Sequence, residues 1–317
     1  MKRYLILLAS AALCAALPLS AQEAKVHPAP SEIVSAAKAD EWVAIAPSDL
    51  LVMDLAPDSK GQPRRVVIQL IPAPFSQGWV GNIRKLAAAH WWDGTSINRV
   101  QDNYVVQWGD ASEKKALPKD LAVVPESGYV TKSAEVMIVD GQSSGLMRSP
   151  NMSVLKEDAY AAETGFASGF PVGGRWQSRE LWPTHCYAMV GVGRNLSPDT
   201  GTGAELYTVI GHAPRHLDRN IALVGRVIEG IEHMSSLPRG TGALGFYEKE
   251  EERVPILSVR LGNEAADVPS FEYLSTDSGS FTAYADARAN RRDPFFNVPA
   301  GGADICNIPV PIRRKAK

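Results

Sequence analysis

The 317-residue chain lacks an excess of either charge, a second long apolar run and any internal repeat. Its 33 lysines and arginines nearly balance 35 aspartates and glutamates, which gives a formal net charge of −2. Without a basic field, no nucleic-acid or anionic-membrane partner is expected. No stretch beyond the N-terminal leader is long and apolar enough to span a bilayer. These absences leave a globular protein of ordinary composition, with room for one or two domains.

The first 21 residues are typical of a secretory signal peptide. Lys2 and Arg3 form a short positive region, Tyr4 to Leu17 form an apolar region, and Leu19-Ser20-Ala21 provides the small residues of a cleavage site after Ala21. The apolar region is too short for a stable membrane span. We therefore expect an exported, periplasmic protein.

Cysteine is scarce, with three in the chain, and Cys14 lies in the leader. The remaining pair, Cys186 and Cys306, would then meet an oxidising compartment. A disulfide between them would tie the C-terminal tail to the body of the protein. Two buried thiols are the alternative, because free cysteine packs as a small apolar residue. The sequence leaves both open.

The 22 prolines and 26 glycines favour a loop-rich β protein over a helical bundle. Apolar runs bounded by turn residues predict closely spaced strands. The predicted strands are Leu50–Leu55, Arg65–Leu70, Thr95–Asp110, Glu135–Val139, Cys186–Val192, Glu205–Gly211, Ile221–Ile228 and Val254–Leu261. Helical patterns are found at Ser31–Lys38, Ser76–Ala89, Gly230–Leu237 and within Phe281–Phe296. This order indicates an antiparallel barrel rather than βαβ units.

The mature chain is expected to contain a barrel domain and added segments. Residues 22–47 are predicted to form a linker and an entry helix, and residues 48–262 the barrel. An irregular, charged region at about 111–164 is interpreted as an insertion, and residues 263–317 as a C-terminal extension. Between the insertion and the next strand, Glu163–Gly174 is predicted to be a glycine-rich loop.

Two short motifs match sequence patterns of known functional sites, but the residues around them do not support those functions. Gly141-Gln142-Ser143-Ser144-Gly145 fits the G-x-S-x-G pattern of serine hydrolases, but that pattern needs a long helix directly after it. Pro150 breaks any helix there, so a tight turn is expected. His212 and His216 have metal-ligand spacing, but Pro214 lies between them and no third ligand is nearby. We expect no metal site.

The stretch from Thr95 to Asp110 is apolar and β-prone, yet it contains Arg99, Gln101 and Gln107. A half-buried strand usually keeps such side chains in water. One interpretation is an edge strand with a solvated polar face. The other is a shallow apolar pocket into which the guanidinium of Arg99 points.

Residues 97–110, with the sequence I-N-R-V-Q-D-N-Y-V-V-Q-W-G-D, resemble the catalytic strand of the cyclophilins. That signature reads approximately F-H-R-[IV]-I-P-x-F-[MV]-[IV]-Q-G-G-D. Further blocks resemble the family in the same order across residues 48–262. They are the helix motif G-N-I-R-K-L (81–86), Y-A-M-V-G (187–191), G-A-E-L-Y (203–207) and L-D-R-N-I-A-L-V-G-R-V-I-E-G (217–230).

The resemblance implies a mainly β fold, a closed antiparallel eight-stranded barrel with two capping helices, to which the insertion and the extension are added. These additions either shape access for protein substrates or only stabilise the fold. The resemblance also implies peptidyl-prolyl cis/trans isomerisation, which needs no metal or cofactor. No cofactor is therefore expected.

The resemblance assigns roles to individual residues. Arg99 would stabilise the twisted amide, and Gln107 would hold Arg99 or the substrate backbone by hydrogen bonds. Glu205 stands where the family has a glutamine, and it could either pair with Arg99 or compete with the substrate for its donors. The proline pocket would be lined by Tyr104, Val105, Tyr207, Leu217, His216 in place of the family's tryptophan, and Ile221 (or Asn220) in place of its histidine.

The sequence thus predicts an isomerase that acts on Xaa-Pro bonds of unfolded or exported polypeptides and is expected to be a monomer. The alternative is a binding module or periplasmic chaperone with the same fold, which grips proline-containing segments without turning them over. Retention of Arg99 favours the enzyme.

Overall fold

The computed structural model describes residues 27–132, 138–139, 142–143, 157–175 and 177–315. The predicted signal peptide lies outside these residues, as does most of the Gly141–Gly145 motif. Of that motif, Gln142–Ser143 is described, as a short strand paired with Ile138–Val139.

The described strands and helices are numbered here in chain order. The strands are β1 (Trp42–Ile45), β2 (Leu50–Leu55), β3 (Arg64–Leu70), β4 (Ser96–Val100), β5 (Val105–Gly109), β6 (Thr131–Lys132), β7 (Ile138–Val139), β8 (Gln142–Ser143), β9 (Glu163–Ala167), β10 (Phe170–Arg175), β11 (Glu180–Pro183), β12 (Met189–Val192), β13 (Leu206–Val209), β14 (Leu223–Glu229), β15 (Val254–Leu261), β16 (Phe271–Leu274) and β17 (Ile312–Arg314). The α-helices are α1 (Pro30–Ala36), α2 (Gln77–Ala88), α3 (Glu232–Ser235) and α4 (Gly279–Ala289).

Eight strands close into an antiparallel barrel in the order β12-β13-β5-β4-β15-β2-β3-β14, which confirms the predicted fold class. Successive side chains of a strand point to opposite faces, so Leu51 and Met53 of β2 fill the barrel interior. Leu50 and, on β3, Val67 face outward, where they pack against Phe271 of the C-terminal extension. Both faces of these strands are buried, which explains the unbroken apolar run in β2.

Helix α2 covers one opening of the barrel and holds two loops beside it. Trp79 and Ile83 are fully buried in the barrel core. The indole N–H of Trp79 donates to the carbonyls of Thr200 (3.1 Å) and Gly201 (3.0 Å). The Asn82 side chain bonds to both backbone groups of Ala122 and to the Thr202 carbonyl. The short helix α3 adds Met234 to the same core.

Two local predictions are corrected by the structure. Thr95–Asp110 is a hairpin of β4 and β5 rather than one strand, because residues 101–104 turn with Asn103 at φ 49°. Glu163–Gly174 is a second hairpin rather than a loop, and it turns at Ser168 and Gly169 (φ 50° and 79°). Its strands belong to a separate sheet, β6-β11-β10-β9. The last strand of this sheet ends at Pro183.

The N-terminal segment and the C-terminal extension form one further layer. Strand β1 pairs with β16, and β16 pairs with β17. Phe281 and Ala285 of α4 are fully buried, and Ile33 and Val34 of α1 pack against the same cluster. The structure joins this layer to the barrel side by a Cys186–Cys306 disulfide, with the two Cα atoms 5.0 Å apart. Across the described ranges, no helix has the length and hydropathy needed to cross a membrane.

Candidate active site

A groove of about 700 Å³ runs over the outer face of four adjacent barrel strands. Arg99 on β4 pairs with Gln107 on β5, Gln107 with Tyr207 on β13, and Tyr207 with Gly191 on β12. The alternate residues of these strands, among them Trp108 and Leu206, are buried in the barrel. The pleat of the sheet therefore places the polar residues of the β4–β5 hairpin in the groove.

All but one of the predicted site residues line this groove. They are Arg99, Tyr104, Val105, Gln107, Glu205, Tyr207, Leu217 and Ile221. His216 is the exception: it is exposed, and its ring stacks on Tyr104 from outside, with the ring centroids 6.5 Å apart.

The floor of the groove is apolar and rigid. Val105 and Tyr207 are buried and pack with the fully buried Val209, while Tyr104 and Ile221 pack against them at the edges. Glycine at 191 is required by this packing, since a Cβ there would lie 2.3 Å from the Tyr207 ring. An apolar floor in a groove can hold a small saturated ring.

Arg99 is held above this floor by three hydrogen bonds. Its Nε donates to the Leu244 carbonyl (2.7 Å) and its Nη1 to Oε1 of Gln107 (3.1 Å), and its Nη2 donates to Oε1 of Gln101. A guanidinium has five N–H donors, so two of its terminal N–H groups take no part in these three bonds.

Two aromatic rings flank the guanidinium of Arg99. Its central carbon lies 5.8 Å from the Tyr104 ring centroid and 5.3 Å from that of Phe246. Burial lowers the pKa of Arg99 from its ordinary value, partly offset by Tyr104. Sequence reasoning did not assign Leu244 or Phe246 to the site. The apolar pair inside the glycine-rich run G-T-G-A-L-G-F was the signal that could have found them.

Of the two alternatives that the sequence left open for Glu205, direct pairing with Arg99 is not found: Gln107 bonds to both side chains. Burial raises the pKa of Glu205 to about 7, and hydrogen bonds from the Asp110 backbone and from the Asn98 and Gln107 side chains lower it by less. Gln107 thus stands between Arg99 and Glu205. Glycine at 109 leaves space for the carboxyl, because a Cβ there would lie 1.9 Å from Oε1 of Glu205.

We expect Glu205→Gln to stabilise the protein at pH 8 but not at pH 4.5. Below the ordinary pKa of 4.5 the carboxyl is protonated in both the folded and unfolded chain. As the pH rises to about 7, the unfolded chain ionises first, so the wild type loses free energy of unfolding. The loss is at most about 3 kcal/mol and is complete above that pH.

Urea unfolding of both proteins at pH 4.5 and pH 8 measures this difference. Glu250→Gln, which changes an exposed glutamate outside the groove, is the matched control. A Glu205→Gln effect that does not grow between the two pH values would contradict a buried carboxyl at this position.

A buried network behind the groove fixes the hydroxyl of Tyr207. His185 is fully buried, with its Nδ1 2.9 Å from Oδ1 of Asp218 and its Nε2 2.8 Å from the Tyr207 hydroxyl. Burial lowers the pKa of His185, which favours the neutral ring. Since a carboxylate only accepts, Nδ1–H donates to Asp218 and the tyrosine O–H donates to Nε2. Nε of Arg215 donates to Oδ2 of Asp218 (2.5 Å).

The described part of the chain holds no cluster of three or more His, Cys, Asp or Glu side chains arranged for a metal ion. His212 is exposed, and its backbone N–H donates to Oδ1 of Asn103 in the β4–β5 turn (2.8 Å).

Comparison with known proteins gives one family and a shared fold. The family model described as "Cyclophilin type peptidyl-prolyl cis-trans isomerase/CLD" matches residues 65–261. The crystal structure of the cyclophilin AquaCyp293 from Hirschia baltica is similar at 22% identity and a TM-score of 0.60, covering 87% of this chain and 95% of that one. A cyclophilin-type isomerase from Cryptosporidium parvum, crystallised in the presence of the dipeptide Ala-Pro, matches at 9% identity and a TM-score of 0.37, covering 66% and 98%. No protein of curated function matches the sequence.

Proposed function

Since the chain belongs to the cyclophilin-type peptidyl-prolyl cis-trans isomerase family, we propose that its groove binds Xaa-Pro segments and accelerates rotation about the peptide bond before proline. The observation that supports this most directly is the position of Arg99. Its guanidinium is fixed by three hydrogen bonds above an apolar floor, with two N–H donors left over.

This arrangement matches what the reaction requires. Rotation about a peptide bond has a barrier of about 18–20 kcal/mol, because the planar amide is stabilised by resonance. Twisting breaks the conjugation and leaves a lone pair on the proline nitrogen. A fixed cationic donor stabilises that charge distribution more than the planar ground state. The apolar floor would hold the ring while the donor acts.

We further propose that the substrates are exported polypeptides and that the protein acts in the periplasm. The leader-like first 21 residues support this. So does the Cys186–Cys306 disulfide, because such bonds persist in oxidising compartments.

The test is exchange between the cis and trans forms of an Ala-Pro tetrapeptide, followed by NMR with the chain from Gln22 onward. We expect the exchange rate to rise in proportion to the protein concentration. Binding of the peptide without faster exchange would favour the binding module instead. If the peptide neither binds nor exchanges faster, the assignment of the groove is overturned.

A further inference from the structure

A loop on the Arg99 side of the groove exposes two large apolar side chains. We call the segment Gly240–Tyr247 the rim loop. Leu244 is 66% exposed and Phe246 39% exposed, and both line the same groove as the predicted proline pocket. Neither residue belongs to the core of the barrel. Their position calls for an explanation in terms of what the groove binds.

The rim loop is fixed to strand β4. The Gly240 N–H donates to the Val100 carbonyl and the Tyr247 N–H to the Asn98 carbonyl, both at 2.9 Å. Phe246 forms a β-bridge with Arg99. Gly245 is pressed so closely on this strand that a Cβ would lie 2.7 Å from Cα of Gln101. The loop is therefore a rigid platform for Leu244 and Phe246.

Leu244 is held in an unfavourable state in two respects. Its backbone is left-handed, with φ 56° and ψ 18°, a region that glycine and asparagine adopt far more readily than leucine. Its side chain is also largely exposed to water. Strained backbone of this kind gathers at binding and catalytic sites, where the surroundings hold it in place.

The strained residue is joined directly to the proposed catalytic group. The Leu244 carbonyl accepts the hydrogen bond from Nε of Arg99, and the Phe246 ring covers the same guanidinium at 5.3 Å. On the other side of Arg99 lies the apolar floor with Tyr104 and Tyr207. A peptide placed with its proline on that floor would extend past Arg99 and reach the rim loop.

We propose that Leu244 and Phe246 form a second apolar subsite, which takes an apolar side chain within two residues of the substrate proline. The proposal rests on the proposed function, because it makes the subsite a continuation of the proline groove. It adds a substrate preference, namely proline segments flanked by leucine or an aromatic residue.

The experiment uses tetrapeptides with a central Ala-Pro pair, in which leucine, phenylalanine or serine occupies either outer position. Dissociation constants and kcat/KM are measured for the wild type and for Leu244→Asn. We expect the wild type to prefer leucine or phenylalanine to serine at one of these positions by about fivefold, as expected from burying on the order of 40 Å² of apolar surface. Leu244→Asn should lose most of this preference. It should not lower Tm, because asparagine accepts the left-handed conformation.

Leu257→Asn is the matched control, since Leu257 is 56% exposed on β15 and does not line the groove. It should keep the wild-type preference. Equal affinities for the serine and leucine peptides at both positions would overturn the subsite, as would a preference unchanged in Leu244→Asn. Because affinity is measured separately from turnover, failure of the subsite is distinguishable from absence of isomerase activity.

Discussion

Replacing Arg99 by alanine is expected to lower kcat/KM for an Ala-Pro peptide by about 10²–10³-fold, the usual effect of removing a preorganised donor from a reacting centre. The guanidinium is positioned before the substrate arrives, by Leu244, Gln107 and Gln101. In the proposed mechanism, its remaining donors act mainly on the twisted amide. The loss should therefore appear in kcat, with a smaller change in the affinity for the peptide.

Arg99→Lys should recover little of this activity. An ammonium keeps the charge, but it cannot reproduce the planar fork that bonds to three acceptors and still offers two donors. Arg64→Ala is the matched control, because Nε of Arg64 also donates to a backbone carbonyl (Ala56, 2.6 Å) and lies outside the groove. An Arg99→Ala rate within twofold of the wild type would refute the proposed mechanism, provided that the circular dichroism spectra agree.

Asp218→Ala is expected to lower the free energy of unfolding by about 3–5 kcal/mol, the usual cost of removing one partner from a buried ion pair. Asp218 and Arg215 are 2% and 3% exposed. The carboxylate also accepts from the backbone N–H of His185 at 2.9 Å. After the substitution, Arg215 would keep its ion pair with Asp158 (2.7 Å), but its Nη2 already has no partner among the described residues.

Urea unfolding with a fitted m-value measures this loss. Asp102→Ala provides the comparison, because it removes the same group from an exposed ion pair with Arg239, for which about 0–1 kcal/mol is expected. Asp218→Asn should fall between the two, since it keeps the shape but not the charge. A loss from Asp218→Ala no larger than that from Asp102→Ala would show that the network is not the buried charge system described above.

The barrel could be predicted because its strands carry their own signals. Leu50–Leu55 and Val254–Leu261 were predicted with the bounds that the structure has. The order of the family-like blocks then predicted that these strands close into a barrel, which periodicity alone does not indicate. The residues of the groove followed from the same blocks, because Arg99, Gln107 and Tyr207 are cross-strand neighbours in the barrel.

The side of the groove formed by Leu244 and Phe246 depends on long-range contacts that local sequence patterns do not encode. Leu244 reaches Arg99 across 145 residues of chain, and only the closed barrel brings the two together. A direct Arg99–Glu205 contact was one of two alternatives that the sequence left open for this glutamate. In the structure Gln107 lies between the two side chains, and burial rather than pairing dominates the shift in the pKa of Glu205.

Outside the barrel too, some strand pairings could not be predicted from local sequence patterns. The short apolar run Trp42–Ile45 does not reveal that its partner strand is Phe271–Leu274, near the other end of the chain. The glycines of Glu163–Gly174 suggested a loop, yet Gly173 makes room for the Trp182 indole, which would meet a Cβ there at 2.7 Å. Tertiary packing therefore determines both the pairing of Trp42–Ile45 and the hairpin at Glu163–Gly174.

The position of the disulfide in the chain has a consequence for the order of events during synthesis. The last barrel strand ends at Leu261, whereas the second cysteine lies at 306. Since a chain emerges from its N-terminus, all eight barrel strands are available before Cys306 appears. The barrel strands can therefore pair while Cys186 is still unpaired. We expect the disulfide to fasten the tail to a barrel that has already formed.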